Sequence, residues 1–353
     1  MTRKGRRVAV AAGVAIVAVA AVAVGFRATT GSLQRVDDDT LAARERLGLV
    51  TPAPDTDEAD GAGPEPRSSA RSAAPAGTTE DGAATFLVVG NDAGEGRSGR
   101  RADVLLLVRL PAPGGRPVLV SLPRDLWVED LCHGGRQRIN AALNGCGEAA
   151  TGPQLTMLTV EHVTGWRIDH YVEVGFEGFL EVIDAVGGIE ICTDHPVRDR
   201  HSDLDLPGGC VHASSEQALA WTRSRMTQEL VDGRWRTMPG VNDLTRNARQ
   251  QDVLLQVLGE VAEVRSLGTL RRLASDLGDA VTLGSSLGLD DLLALSGRAR
   301  DLTDGDVVRG EVPVVSHVTS GGAQVLLPGA DLDALFAELA AAGGGEAASA
   351  AGG

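Results

Sequence analysis

Charged side chains stand where the apolar runs of this sequence begin or end, and their types suit a metal ion and a phosphate. Asp92 follows an apolar run that closes at Gly90, and Asp103 directly precedes the next run. Arg101 lies two residues before Asp103, so both side chains share a face if the chain is extended. Residues at the strand ends of an open sheet commonly line a ligand crevice. The carboxylates therefore suit a divalent cation, and the guanidinium suits a phosphate.

More arginines follow two later segments. Arg124 and Asp125 come after a third apolar run, and the preceding Pro123 restricts the direction in which the chain leaves it. Arg223 and Arg225 follow an Ala-rich segment with a helical pattern. Residues two apart diverge on a helix, so these two arginines can bind one target only if the helix stops there.

A last group lies on a predicted helix. Asp243, Arg246 and Gln250 are spaced at i, i+3 and i+7, which places them on one helix face, while Arg249 points away from it. Taken singly, each charged group is typical of an exposed loop or a surface ion pair. Together, carboxylates and several arginines at the ends of elements indicate a site for a divalent metal ion and a diphosphate.

Apolar segments alternate between strand and helix patterns from residue 84 onward, which predicts a sheet covered on both faces by helices. Strands are predicted over 84–90, 104–110, 117–122, 171–176 and 189–192. Helices are predicted over 155–163, 179–186, 216–221, 243–264 and 331–339, with two Leu-rich helical segments between 267 and 302. The segments 307–315 and 325–327 are expected to return to the sheet.

The N-terminus predicts a membrane anchor. Residues 8–26 form an uncharged apolar run, close to the length that a helix needs to cross about 30 Å of hydrocarbon. The basic residues within 1–7 place that end in the cytoplasm, so the domain lies outside the cytoplasmic membrane. The alternative is a cleaved signal peptide with the site Ala21-Val22-Ala23. Both interpretations export the domain.

Composition sets the remaining boundaries. The stretch 51–81 is rich in Pro, Ala, Gly and Ser, so 27–83 is predicted to be an extracytoplasmic linker with a short helix within 37–49. The main domain is placed at 84–265, residues 266–342 are expected to complete it, and the Ala/Gly tail 343–353 is predicted to be disordered.

The cysteines predict disulfides, because an exported domain meets an oxidising environment. Four cysteines allow three pairings, and the local choices are Cys132 with Cys146 and Cys192 with Cys210. Their spacing fits no zinc pattern, and no histidine pair has metal-binding helix spacing.

The net charge of −15 argues against a nucleic-acid partner. Proteins that grip a nucleic-acid backbone usually carry a basic stripe or patch. We therefore expect no nucleic-acid binding.

Short motifs over about residues 86–258 resemble the LytR-CpsA-Psr family of cell-wall glycopolymer transferases. Each motif is weak by itself, but together they occur in the order typical of the family. They are Leu87-Val88-Val89-Gly90-Asn91-Asp92, Arg101-Ala102-Asp103, Leu122-Pro123-Arg124-Asp125, Arg138-Ile139-Asn140-Ala141, Ile168-Asp169-His170-Tyr171, Asp184-Ala185-Val186-Gly187-Gly188, the run Ala218 to Arg225, and Arg246 with Arg249-Gln250-Gln251.

The resemblance implies a three-layer α/β sandwich, with a central mixed β-sheet flanked by helices, preceded by one transmembrane helix and a flexible linker. It also implies a narrow apolar pocket for a polyprenyl chain with the diphosphate at its mouth. By the same resemblance Asp92 and Asp103 hold Mg²⁺ or Mn²⁺, and Asp243 and Arg246 support the shell that binds the diphosphate. The implied diphosphate ligands are Arg101, Arg124, Arg223, Arg225, Arg246 and Gln250. Arg101, Arg124 and Asp125 are the candidate catalytic residues, and Asp125, which follows the third apolar run, is a candidate base for the acceptor hydroxyl.

Two positions depart from the family pattern. Ala93 and Val104 stand where the family commonly has hydroxyl side chains, which removes hydrogen bonds that would orient the metal ligands. Asp169-His170-Tyr171 and the Gly187-Gly188 turn are interpreted as structural, with no metal role for His170.

The implied reaction transfers a glycopolymer phosphate from a polyprenyl-diphosphate lipid carrier to a peptidoglycan hydroxyl and releases polyprenyl monophosphate. Positioning and charge neutralisation supply most of the catalysis in such a transfer. Three alternatives stay open: a polyprenyl-diphosphate pyrophosphatase, a non-catalytic lipid or wall-glycan binding module, and a transcriptional regulator. The exported domain and the acidic charge oppose the last of these.

Overall fold

A mixed β-sheet forms the centre of this computed structural model, which describes residues 34–49, 83–91, 100–111, 115–241, 249, 252–253, 256, 281–287 and 307–344. Its strands are β1 (Gln34–Val36), β2 (Ala84–Asn91), β3 (Ala102–Leu110), β4 (Val118–Ser121), β7 (His170–Val174), β14 (Val281–Gly284) and β15 (Val308–Glu311). Within the described residues their spatial order is β1-β14-β7-β2-β3-β4-β15. The pairs β1–β14, β2–β7 and β4–β15 are parallel, and the other neighbours are antiparallel.

Shorter strands and the helices surround this sheet. The shorter strands are β5 (Trp127–Glu129), β6 (Arg136–Arg138), β8 (Ile189–Thr193), β9 (Val197–Asp199), β10 (Leu204–Leu206), β11 (Gly209–Ala213), β12 (Gln228–Val231), β13 (Arg234–Thr237), β16 (Val314–Val318) and β17 (Gln324–Pro328). The helices are α1 (Leu41–Arg46), a 3₁₀ helix (Ile139–Asn144), α2 (Gly152–Thr164), α3 (Phe176–Val186), α4 (Ser215–Arg223) and α5 (Leu332–Gly343).

The apolar run of β2 reflects burial on both faces of the sheet. Phe86 and Val88 belong to one core cluster, and Leu87 and Val89 belong to the other. Side chains alternate between the faces of a strand, so a strand covered on both sides is apolar at most positions, and Thr85 is a buried polar exception in β2.

Each face of the sheet carries its own layer. On one face, α3, α4 and the strands β8 to β11 pack through residues such as Ile183, Ala218 and Ile191. On the other, the 3₁₀ helix, α2 and α5 pack through Leu143, Val160 and Phe336. The predicted α/β fold with a central mixed sheet is therefore confirmed, and the two core clusters give it three layers.

Two helices begin with reciprocal capping contacts. In α2 the Thr151 hydroxyl accepts from the backbone of Gln154, whose side chain accepts from the backbone of Thr151. Ser214 and Gln217 make the same pair of bonds at α4. These capping boxes satisfy amide groups that a helix start leaves without partners.

The segment directly after the predicted anchor belongs to the folded body. β1 pairs with β14 at the edge of the sheet, and Asp38, only 3% exposed, accepts from the backbone of Ser286 at 2.9 Å. On α1, Arg44 forms an ion pair with Glu161 of α2. The short helix expected within 37–49 is present. However, the first part of the predicted linker packs on the domain, so the domain does not begin at residue 84.

Most predicted strands and helices are present, but two regions correct the expectations. Val281–Gly284 lies within the Leu-rich stretch predicted to be helical, yet it forms β14, because it pairs with both β1 and β7 and buries Val281 and Leu283 in one core cluster. In the C-terminal region only β15 returns to the main sheet, whereas β16 and β17 pair with each other as a separate hairpin. Most of the predicted helix 243–264 lies outside the described residues.

Both predicted disulfide pairs lie together in the structure. Cys132 is joined to Cys146, and Cys192 is joined to Cys210 across the β8–β11 pair. In the part of the chain that the structure describes, no helix is long and apolar enough to span a bilayer, and the predicted anchor at 8–26 lies outside that part.

Candidate functional site

Four strands present their ends at one edge of the sheet. β2, β4 and β7 end there, and β3, which is antiparallel to both β2 and β4, begins there. The sequence predicted that chemistry-bearing residues at these ends would meet. The sheet topology supplies the reason, because it brings segments far apart in sequence to the same edge.

Asp103 lies at a β-bulge on this edge. β2 and β3 pair regularly as far as Gly90 with Val104, and then Asn91 pairs with Ala102. Asp103 is therefore the extra residue on β3. A bulge interrupts the regular alternation of side chains and is common beside active sites, where it redirects a side chain.

Arg124 lies between two carboxylates. Its Nη1 donates to Oδ1 of Asp103, and its Nε lies 3.3 Å from Oδ2 of Asp125. The other oxygen of Asp125, Oδ1, lies 3.2 Å from Nε of Arg138. The side chains alternate in charge along the series Arg138, Asp125, Arg124, Asp103. We call these four residues the Arg124 cluster.

The backbone around the Arg124 cluster is held by both neighbouring segments. The amide of Asn140 donates to the carbonyl of Arg124 at 3.2 Å, and the amide of Leu326 in β17 donates to the carbonyl of Asp125 at 2.9 Å. Arg138 also donates from Nη2 to the carbonyl of Gln324 at 2.8 Å. Positions fixed by backbone bonds of this kind keep the guanidinium groups in place before a ligand arrives.

Asp125 has both of its oxygens in ion pairs, one with Arg124 and one with Arg138. In this arrangement the carboxylate positions two guanidinium groups. Its role as the base for the acceptor hydroxyl stays a prediction.

Arg223 and Arg225 lie at the turn that ends α4, and both are exposed. Helical geometry stops at Ser224, whose backbone is extended (φ −64°, ψ 123°). The two arginines could bind one target only if the helix ended between them, and it does. The buried carboxylate of Asp199 fixes this turn. It accepts from the Ser224 hydroxyl at 2.7 Å and from the backbone amides of Met226 at 2.9 Å and Arg225 at 3.2 Å.

The charge of Asp199 depends on these bonds. Burial by itself raises the pKa of the Asp199 carboxyl, but hydrogen bonds from Ser224, Met226, His201 and Arg225 outweigh burial and lower the pKa below its ordinary value. Asp199 is therefore ionised at neutral pH and holds the turn as an anion.

Arg249 is a buried side chain that contacts the same turn. It is only 8% exposed, its Nη1 donates to the Thr227 hydroxyl at 2.8 Å, and its guanidinium carbon lies 3.9 Å from the centre of the Trp221 ring. The hydroxyls of Thr227 and Ser224 lie 2.6 Å apart. Burial lowers the pKa of Arg249, an effect that the charge of Asp199 partly opposes. In this position Arg249 stabilises the turn rather than facing a ligand.

Sequence reasoning did not assign a role to three residues at the edge: Arg138, Arg100 and Glu173. Glu173 is 2% exposed and forms an ion pair with Arg100. The sequence did contain a signal for Glu173, because its carboxylate interrupts the apolar run of β7. The signal for Arg138 was its place in a family motif.

The remaining predicted site residues are either exposed or outside the described part of the chain. Arg101 is exposed, directly before β3. Asp92, Asp243, Arg246 and Gln250 lie outside the described residues. The structural interpretation of Asp169 and His170 agrees with their contacts. Asp169 accepts from the amide of Thr85 at 2.8 Å, and the His170 ring lies 4.8 Å from the ring of Phe86.

The residues at this edge fit a divalent cation in type. Mg²⁺ prefers carboxylate oxygens, and Asp103 is a carboxylate with 28% exposure at the bulge. Asp92 directly follows Asn91, the last residue of β2. Two other clusters of ligand-type residues, Asp130-Cys132-His133 and Glu190-Cys192-Cys210, occur in the described part. Their cysteines are in disulfides, so those clusters are not metal centres.

A shallow depression of about 300 Å³ lies between the β5–β6 hairpin, α2 and the start of α5. Its lining includes Trp127, Arg136, His162 and Leu332 but no residue of the Arg124 cluster. It borders that cluster, because Trp127 pairs with Arg138 across β5 and β6.

Comparison with known proteins matches residues 56–341 to the LytR_cpsA_psr family. The chain is 35% identical over 184 residues to the probable cell wall biosynthesis protein LcpB of Corynebacterium glutamicum, covering 52% of this chain and 38% of LcpB. It is 32% identical over 184 residues to the polyisoprenyl-teichoic acid–peptidoglycan teichoic acid transferase TagU of Bacillus anthracis, covering 52% of this chain and 54% of TagU. The matches thus span about half or less of the length of these relatives. Among solved structures, a LytR-Csp2A-Psr enzyme from Actinomyces oris has a TM-score of 0.56 and 29% identity, covering 72% of this chain and 89% of that one.

Proposed function

Because the chain belongs to the LytR_cpsA_psr family, we propose that it transfers a glycopolymer phosphate from a polyprenyl-diphosphate lipid carrier to a peptidoglycan hydroxyl. Polyprenyl monophosphate is the second product. The observation that carries the proposal is the Arg124 cluster, in which paired carboxylates hold guanidinium groups at the edge where the strands end. The name of the Bacillus anthracis relative, which describes transfer of teichoic acid from a polyisoprenyl carrier to peptidoglycan, supports the same reaction class.

The proposal gives the residues of the edge distinct roles. Asp92 and Asp103 would hold Mg²⁺, which when bound would neutralise charge on the diphosphate. The diphosphate itself is bound by arginine and glutamine side chains, with Asp243 supporting them. These side chains are Arg101, Arg124, Arg223, Arg225, Arg246 and Gln250.

The chemical step exchanges one P–O bond for another. A hydroxyl oxygen of the wall glycan attacks the phosphorus next to the glycopolymer, and the bond from that phosphorus to the polyprenyl phosphate breaks. The hydroxyl proton passes to a base, for which Asp125 stays the candidate. Arg124 contributes by charge and geometry, because its planar guanidinium can donate two parallel bonds to a phosphate.

Location follows from the substrates. We propose that residues 8–26 anchor the protein in the cytoplasmic membrane, with residues 1–7 in the cytoplasm and the domain outside. The lipid carrier and the wall acceptor then both lie on the side of the domain.

Asp103→Ala in the full chain tests the proposal. The donor is a synthetic polyprenyl-diphosphate glycan and the acceptor is wall fragments, with glycan transfer and phosphate release measured side by side. We expect Mg²⁺-dependent transfer to be lost while the unfolding temperature stays nearly the same, since Asp103 is partly exposed at a strand end.

The control is Asp130→Asn, which changes a carboxylate that accepts from the amide of Cys132 at 2.9 Å, away from the Arg124 cluster. The control should transfer at the wild-type rate. Wild-type transfer by Asp103→Ala would show that the site is misplaced. Phosphate release without transfer by the wild-type protein would identify a pyrophosphatase instead.

A further inference from the structure

Glu173 is a buried carboxylate that the proposed reaction does not use. It is 2% exposed in β7, next to Val172 and two residues after Tyr171, both of which are buried. A carboxylate is taken out of water only at a large free-energy cost unless a charge and hydrogen bonds compensate for it. The partners of Glu173 therefore indicate what the residue is for.

Three side chains satisfy the two oxygens of Glu173. Oε1 accepts from Nδ2 of Asn91 and from Nη2 of Arg100, and Oε2 accepts from the hydroxyl of Tyr171 at 2.6 Å. Burial and the charge of Glu173 both raise the pKa of Tyr171, so its hydroxyl stays protonated and remains a donor. Arg100 supplies the compensating charge.

Two of these partners are the ends of one connection. Asn91 is the last residue of β2, and Arg100 precedes Ala102, the first residue of β3. A single carboxylate oxygen thus joins the residue where the chain leaves the sheet to the residue where it returns. The amide of Arg100 also donates to Oδ1 of Asn144 at 3.0 Å, which fixes the return from a second side.

The strand faces explain how Glu173 reaches Asn91. Leu87 and Val89 on β2 and Tyr171 on β7 belong to the same core cluster, so Asn91 and Glu173, two residues further along, point to that face. Val89 and Glu173 are direct neighbours in the parallel pairing of β2 and β7. The contact between Glu173 and Asn91 is therefore set by the register of the sheet.

We infer that Glu173 is a positioning residue. It holds together the two ends of the β2–β3 connection, Asn91 and Arg100, and so fixes the position of the chain that carries Asp103. The expected effect on metal binding rests on the proposed function, because Asp103 is a metal ligand only in that proposal. The contacts of Glu173 hold independently of it. Groups that orient metal ligands typically change metal affinity about 10- to 100-fold when they are removed.

The test compares two buried glutamates in the full chain. Glu173→Gln keeps the size of the side chain but removes the charge that pairs with Arg100. The matched control is Glu161→Gln, because Glu161 is 9% exposed, pairs with Arg44 and accepts from the amide of Ile168 at 2.8 Å, away from the connection. Both variants lose one buried, arginine-paired carboxylate, so general destabilisation affects them alike.

Two readouts separate positioning from stability. Hydrogen exchange of peptides covering residues 90–103 is measured without metal, and Mn²⁺ binding is measured by electron paramagnetic resonance. For Glu173→Gln we expect faster exchange in these peptides and about 10- to 100-fold weaker Mn²⁺ binding. Glu161→Gln should match the wild type in both. Arg100→Gln removes the partner at an exposed position and should reproduce the effect if Glu173→Gln does not fold.

Unchanged exchange and unchanged Mn²⁺ binding in Glu173→Gln or, where that variant does not fold, in Arg100→Gln would overturn the inference. So would equal effects from Glu161→Gln. A wild-type protein that neither binds Mn²⁺ nor transfers glycan would refute the proposed function instead, and the exchange data would still decide whether Glu173 closes the connection.

Discussion

Replacing Arg124 by lysine keeps a positive charge but removes the planar group that reaches two carboxylates. In the structure Nη1 donates to Asp103 while Nε lies 3.3 Å from Asp125, so two nitrogens of one guanidinium point at two different residues. A single ammonium nitrogen lacks this rigid two-sided geometry. Arg124→Lys therefore separates bidentate recognition from a general electrostatic role.

The structure predicts a large kinetic effect and a small effect on stability. Losing one preorganised group that stabilises transition-state charge typically lowers the rate about 100- to 1000-fold. The Arg124 and Asp103 side chains are 17% and 28% exposed, so their ion pair contributes about 1 kcal/mol or less to folding. Arg138 remains beside Asp125 in the variant. An unfolding temperature lower by no more than about 2–4 °C is expected for a domain of this size.

The assay is the transfer reaction described above, run with Arg124→Lys and Arg124→Ala, together with thermal unfolding of each variant. Arg44→Lys is the control, because Arg44 is 20% exposed and is also paired with a carboxylate, Glu161, in the layer of α2. The control should retain transfer. If Arg124→Lys transfers within a few-fold of the wild-type rate while Arg124→Ala does not, charge alone is sufficient. If Arg124→Ala also transfers normally, the reasoning about this site is refuted.

Two further predictions concern the turn that carries Arg225 and the topology of the chain. Because the pKa of Asp199 is lowered in the folded state, its contribution to stability is present above the unfolded carboxyl pKa of about 3.9 and is lost as pH falls through the folded value. The gap in unfolding free energy between the wild type and Asp199→Asn should therefore be largest at neutral pH and shrink in acid, and a pH-independent gap would contradict this. Protease added to intact protoplasts should degrade the domain if residues 8–26 anchor it with the bulk outside. Digestion only after lysis would contradict the export proposal.

The sequence by itself determined the fold class and the ordered set of charged positions. Most β2 and β3 side chains that face a core cluster are apolar, with Thr85 as a fully buried polar exception, so the runs that predicted buried strands were visible without coordinates. The family motifs pointed to Asp103, Arg124, Arg223 and Arg225 as candidate site residues, a role that stays a prediction. The local cysteine pairs followed from sequence order alone, and the structure joins the same pairs.

Local pattern was insufficient where long-range packing decides the conformation. Val281–Gly284 lies in a stretch with helical composition, but its place between β1 and β7 makes it a strand. The segment that contains Asp38 falls within the linker predicted over 27–83, with a short helix expected within 37–49. It is folded because Asp38 is buried against Ser285 and Ser286, nearly 250 positions away in sequence.

The contacts of the candidate site were decided by tertiary structure alone. No spacing in the sequence shows that Arg138 would share Asp125 with Arg124, since that contact depends on the pairing of β5 with β6. Glu173 reaches Asn91 and Arg100 only because β7 lies parallel to β2 in one particular register. Sequence records which side chains are available and which face of an element they share. The register and order of strands determine which of them meet, because those depend on contacts between segments that are far apart in the chain.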